Sequence, residues 1–453
     1  MNSVTIKLMN VAILGFAGQG KSSYDYWSQP SNTITICDSN PATQTPNGTA
    51  TQLGPDYLQN LDQFDLLVRT PILHPRDIIA ANPQSPGILD KVTTNTNEFM
   101  RVCPTKNIIA VTGTKGKGTT STLITRMLQA AGKTVHLGGN IGLAPLDMLK
   151  GLGGPTGSKQ IEPSDYVVLE IANFQLIDLR HSPHIAVCLM VEPEHLDWHE
   201  DLEEYVAAKQ QLFINQLSDD LAIYYADNKQ SISIADASVG TQLPYMRPPG
   251  AWVKNDHIVI GDTTLCAVDE LKLLGKHNWQ NACAAVTAVW QVAPDVAAIT
   301  SILKSFAGLP YRLELHSEVA NVRYYNDSFA TGPGSSIAAI NSIAEPKVMI
   351  IGGYDRGLNL SGIANSLADN KSSIRQVILI GQSSQRMHAA LSGVGFDKIT
   401  VCTEKTMNKI VDLAASLAQP GDAVVLSPGF ASFDMFVNFE DRGIKFNLAV
   451  NQL

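Results

Sequence analysis

A chain of 453 residues is longer than one hydrophobic core usually organises, so we expect two to four domains. Hydrophobic residues make up 44% of the sequence and charged residues 17%, a composition typical of a globular protein. The net charge of -9 argues against a general binder of nucleic acids or membrane surfaces, and no apolar run approaches the ~20 residues that span a bilayer. We therefore expect no nucleic-acid partner and no stable membrane insertion.

Six cysteines lie scattered through mostly apolar runs, without a C-x-x-C pair. This pattern indicates a reducing cytoplasm, with the thiols acting as small core residues rather than as zinc ligands or disulfides. Near the N-terminus, Lys7 and the apolar run that follows it faintly resemble a signal peptide. Asn10 interrupts that run and a glycine-rich turn follows, so we expect a cytoplasmic protein.

Short β-rich runs alternate with amphipathic helical stretches, which predicts an α/β protein with parallel sheets covered by helices on both faces. The first run, residues 10–14, leads into a turn rich in glycine, and the run at 33–37 closes with Asp38. In nucleotide-binding halves of this layout, the glycines let a diphosphate approach the backbone and the acidic residue meets a ribose or base. A tight turn that packs without any ligand is the alternative.

A third strand, residues 64–69, ends at Thr70, at the sheet edge where ligands bind in such folds. We interpret residues 83–104 as connecting structure and place the first domain boundary near residue 100.

The most informative stretch begins with the apolar run 108–112, continues as Gly113-Thr-Lys-Gly-Lys117-Gly-Thr-Thr120, and leads into a predicted helix at 121–131. A strand, a glycine-rich turn and a helix N-terminus gather free backbone N–H groups around one point, which suits a phosphate. Lys117 would add a positive charge for the β- and γ-phosphates, and a threonine hydroxyl could meet Mg²⁺. An ordinary strand-to-helix turn is the alternative, because Val111 and Gly118 depart from the G-x-x-x-x-G-K-[S/T] pattern.

Carboxylates and imidazoles follow two other predicted strands of this region. Glu170 ends the strand 166–170, which should run beside the strand of the glycine-rich loop, so it is a candidate ligand of Mg²⁺; a merely solvated Glu is the alternative. The strand 185–191 delivers a cluster with Glu194, His195 and Asp197, which suits a metal or a phosphate edge.

Other features of the central region are less specific. Lys209 lies on a predicted helix and would by itself be a solvated surface lysine. Asn278 and Asn281 open an alanine-rich helix, where amides either cap the helix or contact a base edge. Residues 151–158 form a predicted loop, and the sequence leaves the fold of 218–275 obscure.

The character of the sequence changes near Arg312, where we place a second boundary. Predicted strands at 348–351, 377–380 and 423–426 each end in a polar or glycine-rich turn, and a further strand is predicted at 399–403. In a doubly wound sheet these three turns would face one crevice.

These motifs, taken together, resemble the Mur ligase family. They include Thr112-Gly-Thr-Lys-Gly-Lys-Gly-Thr-Thr120 and Glu194-His-Leu-Asp197, together with 139–142, 169–176, 207–209, 277–278, 326–328 and 427–443, in the family's order. The closing motif is most similar to that of the branch of the family that adds D-glutamate.

The resemblance implies three α/β domains. They are an N-terminal Rossmann-like domain for a UDP-linked substrate (1–100), a central P-loop-type ATPase domain with a mostly parallel sheet (101–310), and a C-terminal Rossmann-like, doubly wound domain for the amino acid (311–453). The implied activity is ATP-dependent addition of D-glutamate to UDP-N-acetylmuramoyl-L-alanine through an acyl phosphate, in cytoplasmic peptidoglycan precursor synthesis. A monomer is expected.

The resemblance also implies roles for individual residues. ATP would be bound by Gly113, Thr114, Lys115, Gly116, Lys117, Gly118, Thr119, Thr120, Asn278, Asn281, Arg312 and Asp327. The UDP substrate would be bound by Gly15, Phe16, Ala17, Gly18, Asp38, Ser39, Thr70 and Asn140, and glutamate by Thr331, Arg356, Ser432 and Phe439.

The catalytic set implied in this way comprises Lys117, Glu170, His195 and Lys209. Two Mg²⁺ sites are expected. Thr119 and Glu170 would serve one, and His195 the second, beside a carbamylated Lys209 that presents an anionic oxygen.

Several positions depart from the family pattern. Gly118 replaces a Ser/Thr, and further departures occur at Ala172, Asn173, Met190, Glu194, Phe329 and Arg356. Alternative hypotheses are therefore a related ligase that uses L-glutamate or a folate-type acceptor, and a catalytically silent nucleotide-binding homologue.

Overall fold

The computed structural model describes residues 9–150, 160–273 and 275–453. The loop expected at 151–158 and the first residues of the leader-like stretch lie outside these ranges. The chain forms two compact units, one ending at Phe306 and the other spanning Ala307–Leu453. The α/β class expected from the sequence is confirmed in both.

The first sheet contains five parallel strands: β1 (Met9–Leu14), β2 (Asn32–Asp38), β3 (Ala50–Leu53), β4 (Leu66–Arg69) and β5 (Val92–Thr94). Their order is β3-β2-β1-β4-β5, so β1 lies centrally and its carboxyl end is the point where strand order reverses. The helices of this part are α1 (Gly18–Trp27), α2 (Pro75–Ala81) and α3 (Asn95–Val102), with single 3₁₀ turns at Leu61–Gln63 and Ile88–Lys91.

The interpretation of residues 83–104 as connecting structure is wrong, because they contain β5 and α3. Thr94 caps α3 by accepting a hydrogen bond from the Asn97 amide at 3.0 Å. Every residue from Asn95 to Met100 is buried. The polar sequence of this helix hid it, since a helix buried on both sides by other elements does not need an apolar stripe on one face.

The second sheet contains six parallel strands: β6 (Ile108–Thr112), β7 (Val135–Gly139), β8 (Tyr166–Glu170), β9 (Ile185–Cys188), β10 (Leu221–Tyr225) and β11 (Thr241–Tyr245). They follow the order β11-β10-β9-β6-β8-β7, which places β6 between β8 and β9. Helices α4 (Lys117–Ala130), α5 (Pro145–Leu149), α6 (Asn173–Leu176), α7 (Leu202–Gln210) and α8 (Lys229–Ala235) belong to this sheet.

Residues 252–267, whose fold the sequence left obscure, form a small antiparallel sheet of β12 (Trp252–Lys254), β13 (His257–Ile260) and β14 (Thr263–Ala267). A 3₁₀ turn at Val268–Glu270 follows, and then α9 (Lys276–Trp290) and α10 (Val296–Ser305). The buried alanines of α9 let this helix pack closely against α4, in one apolar core.

The second unit has a six-stranded sheet: β15 (Glu314–Val319), β16 (Val322–Asn326), β17 (Lys347–Gly352), β18 (Ile374–Ile380), β19 (Ile399–Val401) and β20 (Ala423–Leu426). The order is β15-β16-β20-β17-β18-β19, and only β15 is antiparallel to its neighbour. Its helices are α11 (Pro333–Ser342), α12 (Ser361–Asp369), α13 (Ser384–Gly393), α14 (Met407–Leu417) and α15 (Phe439–Val450).

The three turns that follow β17, β18 and β20 meet at one edge of this sheet, as expected from the sequence. The Gly353 amide donates to Ser383 Oγ at 3.0 Å, and the Gln382 amide donates to Asp434 Oδ2 at 2.8 Å. Tyr354 pairs with Ala431 in an isolated bridge. The crevice predicted for a doubly wound sheet is therefore present.

All six cysteines of the chain are unpaired and buried. Burial raises the pKa of several of these thiols, to about 12 for Cys37 and about 11 for Cys188. Among the residues that the structure describes, no helix combines the length and the apolar character needed to cross a membrane.

Candidate functional site

The glycine-rich loop between β6 and α4 needs glycine at two positions for steric reasons. Gly113 has φ +145°, and a Cβ there would lie 2.7 Å from the Leu189 Cβ atom. Gly116 has φ +87°, and its Cβ would lie 2.2 Å from the Asn281 Oδ1 atom. The loop is thus pressed between β9 and α9, with backbone conformations that L-residues with side chains rarely adopt.

Helix α4 begins at Lys117 rather than at the predicted residue 121, so the helix N-terminus lies inside the loop. Gly116 occupies the N-cap with its left-handed conformation, and the Lys117 carbonyl accepts a hydrogen bond from Ser121 Oγ at 2.9 Å. The first amides of α4 are therefore those of Lys117, Gly118 and Thr119. This arrangement aims the positive end of the helix dipole at the loop, as a phosphate site requires.

The two loop lysines differ in their surroundings. Lys117 Nζ is half-buried and donates to the carbonyls of Gly113 at 3.0 Å and Thr114 at 2.9 Å. Lys115 is exposed, with its Nζ 3.7 Å from Glu192 Oε2. The ammonium of Lys117 thus lies against the loop carbonyls, in the turn toward which the first N–H groups of α4 point.

Beneath the loop, Thr114 connects it to α7. Thr114 Oγ1 accepts from the Glu192 amide at 2.9 Å and lies 2.9 Å from Tyr205 Oη. The Tyr205 ring in turn lies under Lys209, whose Nζ is 4.5 Å from the ring centroid. Thr114 therefore faces the protein interior, while Lys115 faces solvent.

Lys209 is fully buried, so the expectation of a solvated surface lysine from its local sequence is wrong. Its Nζ donates to the Gly113 carbonyl at 3.3 Å and to Thr112 Oγ1 at 3.5 Å. Burial, together with the positive charge of Lys117, lowers the pKa of Lys209 from 10.5 to about 7. A sizeable fraction of the amine is therefore neutral near neutral pH.

Glu170 ends β8 directly beside the loop strand, as predicted, with Val111 as its partner across the ladder. Its side chain is buried, and Oε1 accepts a hydrogen bond from Asn140 Nδ2 at 3.0 Å. The Asn140 amide also donates to the Glu170 carbonyl at 2.8 Å. The structure thus places Asn140 beside this carboxylate, whereas the other residues predicted to bind the UDP substrate lie around β1.

The turn that carries His195 begins earlier than predicted, because β9 ends at Cys188. His195 adopts φ +58°, and its Nε2 lies 3.7 Å from Glu194 Oε2. Its ring lies 4.8 Å from the ring of Phe174, measured between centroids, and remains partly exposed. The imidazole is accessible and sits beside a carboxylate, which leaves it able to bind a cation.

A second pair of histidines, not recognised from the sequence, converges on Glu204. His74 Nδ1 accepts from the Arg76 amide at 3.1 Å, so its Nε2 carries the proton, 3.4 Å from Glu204 Oε1. His199 Nε2 accepts from Asn173 at 2.8 Å, so its Nδ1 donates to Glu204 Oε2 at 3.1 Å. His199 thus hydrogen-bonds to the carboxylate, whereas the His74 Nε2 is buried near it without a hydrogen bond. His74 and His199 line a cavity of about 410 Å³, together with Asp197 and Trp198.

The turn after β1 gathers the remaining residues predicted for the UDP substrate. The Phe16 amide donates to Asp38 Oδ2 at 2.7 Å, and Thr70 Oγ1 donates to the Leu14 carbonyl at 2.8 Å. Gly15 has φ +93°, and a Cβ there would lie 2.3 Å from Thr70 Oγ1. Ala17, Gly18 and Ser39 are exposed around this turn, so the three strand ends form one open cradle.

The two amides at the start of α9 lie against the loop. Asn281 Nδ2 donates to Asn278 Oδ1 at 2.9 Å, and Asn281 Oδ1 accepts from Thr120 Oγ1 at 3.5 Å. The N-cap of α9 is Gly275 rather than either amide. Both alternatives for these amides, a role in capping the helix and contact with a base edge, therefore stay predictions.

In the second unit, the four residues predicted to surround glutamate line one cavity of about 230 Å³: Thr331, Arg356, Ser432 and Phe439, with Ala431, Phe433 and Asn438. Arg356 is exposed and donates from Nη2 to the Thr331 carbonyl at 2.8 Å. The cavity thus carries one cation at its rim, and polar groups and an aromatic ring within it.

Arg312 and Asp327, predicted to bind ATP, also lie in the second unit. Asp327 is buried and accepts from Ser427 Oγ at 2.6 Å and from the Leu313 amide at 3.0 Å. Burial raises its pKa from 3.8 to about 7. Arg312 is exposed, and its guanidinium lies 5.5 Å from the ring centroid of Phe329.

Comparison with protein families and known proteins places these features in a wider group. A family model described as the Mur ligase middle domain matches residues 111–289, and one described as the Mur ligase glutamate ligase domain matches residues 311–430. The first match covers the glycine-rich loop, Glu170, His195 and Lys209. The second covers most of the crevice of the second unit.

Among curated proteins, the chain is 34% identical over 411 residues to a UDP-N-acetylmuramoylalanine--D-glutamate ligase of Clostridium tetani, which covers 89% of this chain and 86% of the relative. It is 36% identical over 418 residues to the protein of the same name from Acetivibrio thermocellus, covering 88% and 85%.

Among solved structures, the UDP-N-acetylmuramate-alanine ligase of Thermotoga maritima matches with a TM-score of 0.57 at 16% identity, over 98% of this chain and 99% of that one. At that identity the match shows the fold alone. The relatives at 34% and 36% identity extend over most of both chains, and the motifs fall in the same order, so the chain belongs to the Mur ligase family.

Proposed function

We propose that this protein is an ATP-dependent ligase that joins D-glutamate to UDP-N-acetylmuramoyl-L-alanine. The observation that carries the proposal is the small cavity of the second unit, about 230 Å³, with Arg356 at its rim and Ser432 and Thr331 in its wall. Its volume and single cation suit an acidic amino acid. The two relatives that carry the name of this activity match along nearly the whole chain.

In the proposed reaction, the γ-phosphoryl group of ATP passes to the alanyl carboxylate, and the glutamate amine then attacks the acyl phosphate and releases phosphate. Phosphoryl transfer requires mainly positioning and neutralisation of charge. Lys117 and the first amides of α4 would supply both, since the ammonium and the helix N-terminus face the same turn.

Glu170, with Thr119, would hold one Mg²⁺, and His195 would serve a second, beside a carbamylated Lys209. The donor set fits a hard cation, because Glu170 is a buried carboxylate at a strand end beside the loop. Bound Mg²⁺ would neutralise phosphate charge. The His195 side chain is 40% exposed and therefore accessible enough to take part, whereas the His74 and His199 side chains are buried.

Carbamylation of Lys209 is chemically reasonable because only a neutral amine attacks CO₂, forming an N–C bond with loss of one proton. The burial that lowers the pKa of Lys209 to about 7 makes that amine available. A carbamate would also place a negative charge near the positive charge of Lys117. Removing CO₂ and bicarbonate from the buffer should lower the rate, and added bicarbonate should restore it. Equal rates in both buffers would argue against the modification.

We further propose the division of labour implied by the family: residues 1–100 for the UDP substrate, 101–310 for ATP and 311–453 for the amino acid. The cradle around Gly15 supports the first assignment, and the cavity around Arg356 supports the third. We also propose that the protein acts as a cytoplasmic monomer, which its buried, unpaired thiols suit. Light scattering at working concentration would reveal a dimer if this is wrong.

The test of the activity is phosphate release from ATP and Mg²⁺ with UDP-N-acetylmuramoyl-L-alanine and either enantiomer of glutamate. We expect release with D-glutamate and little with L-glutamate. Arg356→Gln should raise the KM for glutamate at least about tenfold, because a charged hydrogen bond to a carboxylate is lost. Arg375→Lys, near the amino end of β18 and so at the opposite end of the strands, is the control. Absence of release with both enantiomers would refute the proposal.

A further inference from the structure

Arg69, the last residue of β4, is a fully buried arginine to which neither the sequence nor the family comparison assigns a role. It is 1% exposed. Its Nη1 donates to three carbonyls of the segment that follows it, those of Leu73 at 2.7 Å, Pro71 at 2.9 Å and Thr70 at 3.3 Å. The guanidinium therefore sets the path of the backbone immediately after Thr70.

The other side of the same guanidinium contacts the segment after Glu170. Nε donates to Asp178 Oδ2 at 2.9 Å, and Nη2 donates to Asp178 Oδ1 at 2.6 Å and to the Phe174 carbonyl at 3.1 Å. All the N–H donors of the guanidinium are used, and the pairing with the carboxylate is bidentate. One side chain thus joins the edge of the first sheet to the connection between β8 and β9.

Both ends of this connection reach residues of the candidate site. Thr70 closes over Gly15 in the cradle after β1. Phe174 packs on His195 and on Trp198, with ring centroids 4.8 and 4.9 Å apart. The Trp198 Nε1–H donates to the Ile72 carbonyl at 2.9 Å, which ties the His195 turn back to the segment that Arg69 holds.

We propose that Arg69 is a positioning residue for the ligase reaction, which fixes the separation between the cradle for the UDP-linked acceptor and the phosphate-side groups Glu170 and His195. The inference rests on the proposed function. The acceptor carboxylate has to meet the γ-phosphate in line, and a misplacement of about 1 Å can cost roughly 10²-fold in rate. A rigid link between the two half-sites therefore acts on catalysis rather than on the binding of either substrate alone.

Lysine cannot replace arginine in this role. Its ammonium is a single point with three donors, whereas the planar guanidinium spans a carboxylate and carbonyls on two sides. Arg69→Lys keeps the buried positive charge opposite Asp178 but loses most of the link. Asp178→Asn is the milder second variant, because Asp178 is partly exposed and its amide counterpart keeps one acceptor.

The test measures kcat, the KM of each substrate and the affinity for a non-hydrolysable ATP analogue in the full chain. For Arg69→Lys, we expect kcat to fall about tenfold or more while affinity for the analogue changes less than about twofold. Asp178→Asn should also lower kcat. The kcat of the double variant should be no lower than that of Arg69→Lys, since both substitutions break the same contact between residues 69 and 178. Arg101→Lys is the matched control, because Arg101 makes a bidentate pair with Glu98 away from the site and is largely exposed.

A role confined to stability would lower the unfolding temperature and leave kcat unchanged in assays well below it. If the variants are folded and their kcat stays within about twofold of a working wild type, the inference is overturned while the proposed function stands. If the wild type releases no phosphate with either glutamate enantiomer, the proposed function fails and the inference fails with it.

Discussion

The glycine turns after β1 and β6 share a position in their sheets but handle charge in opposite ways. In the first turn, a carboxylate accepts the loop amide, with Asp38 Oδ2 2.7 Å from the Phe16 nitrogen. In the second, an ammonium satisfies the loop carbonyls, with Lys117 Nζ near those of Gly113 and Thr114. A backbone N–H that already donates to a carboxylate is not available to donate to a phosphate. A lysine ammonium that bonds to its own loop can instead rotate to contact a phosphate.

The comparison shows that a glycine-rich strand-to-helix turn does not by itself specify phosphate binding. What distinguishes the second turn is the cation at N1 of α4 and the buried Lys209 beneath it. The first turn has its acidic residue at the end of β2, which suits recognition of hydroxyl and N–H groups of a nucleoside. Substitutions in the two turns should therefore affect the binding of different substrates.

The largest effect is expected from Lys117→Ala. Loss of the ammonium removes a positive charge from the proposed phosphate site, so kcat/KM should fall by at least about 10³-fold. Thermal unfolding should change little, because Lys117 is only half-buried and its ammonium donates to the backbone carbonyls of its own loop. Lys133→Ala, at an exposed position just after the end of the same helix, is the control for charge removal. Near-normal turnover in Lys117→Ala would show that this loop is not the ATP site.

A second prediction concerns the pH dependence of stability. The folded pKa of Lys209 is about 7 and its unfolded value 10.5, so the unfolded chain holds an extra proton between these values. The cost of burying Lys209 is fully present below pH 7 and fades as the pH rises toward 10.5. It should fall from about 4 kcal/mol at pH 7 to about 1 kcal/mol at pH 9.5.

Chemical denaturation of the wild type and Lys209→Met in CO₂-free buffer measures this change. The stability advantage of the variant should shrink by about 3 kcal/mol between pH 7 and pH 9.5. Lys133→Met should show no such change, because Lys133 is exposed. A pH-independent difference for Lys209→Met would mean that the amine is not buried as a neutral group.

A third prediction separates the two turns by substrate. Gly116→Ala places a Cβ 2.2 Å from Asn281 Oδ1, and Gly15→Ala places one 2.3 Å from Thr70 Oγ1, both at positive φ. Each should raise one KM by at least about tenfold, that of ATP for Gly116→Ala and that of the UDP substrate for Gly15→Ala. Gly393→Ala, which meets nothing within 4 Å, is the control. Parallel effects on both substrates would contradict separate roles.

The smallest effect is expected from Asp38→Asn. The asparagine keeps an acceptor for the Phe16 amide but loses the charge, at a cost of about 1 kcal/mol. The KM for the UDP substrate should therefore rise about fivefold while that for ATP stays unchanged. Asp236→Asn, at an exposed helix end, serves as the control. If the KM for ATP rose instead, the proposed role of Asp38 in binding the UDP substrate would be wrong.

Local pattern was sufficient where an element is buried on both faces by its own apolar run. The strands β6, β8 and β20 coincide with the runs that the sequence indicated, and the crevice of the second unit follows from three strand ends. The residues predicted around Arg356 then share one cavity. Periodicity, together with the rule for ligands at strand ends, was enough to predict these features.

Burial that depends on distant parts of the chain could not be predicted in this way. Lys209 looks like a surface lysine because its neighbours in sequence do not reveal that α7 packs under the loop. Arg69 and the pair His74 and His199 acquire their meaning from partners more than 100 residues away. The polar helix α3 was missed for the same reason. For the contact between His199 and Glu204, the only local signal was that the two residues lie five positions apart in the sequence.

The burial of the cysteines has a practical consequence for measuring unfolding. Cys37 lies in the first sheet, Cys188 in the second and Cys402 beside β19 in the second unit, all shielded from reagents in the folded chain. A thiol-specific alkylating agent can modify each of them only when its own region opens. Mass spectrometry of peptides from a timed alkylation would thus report the opening of each sheet separately, without any engineered label.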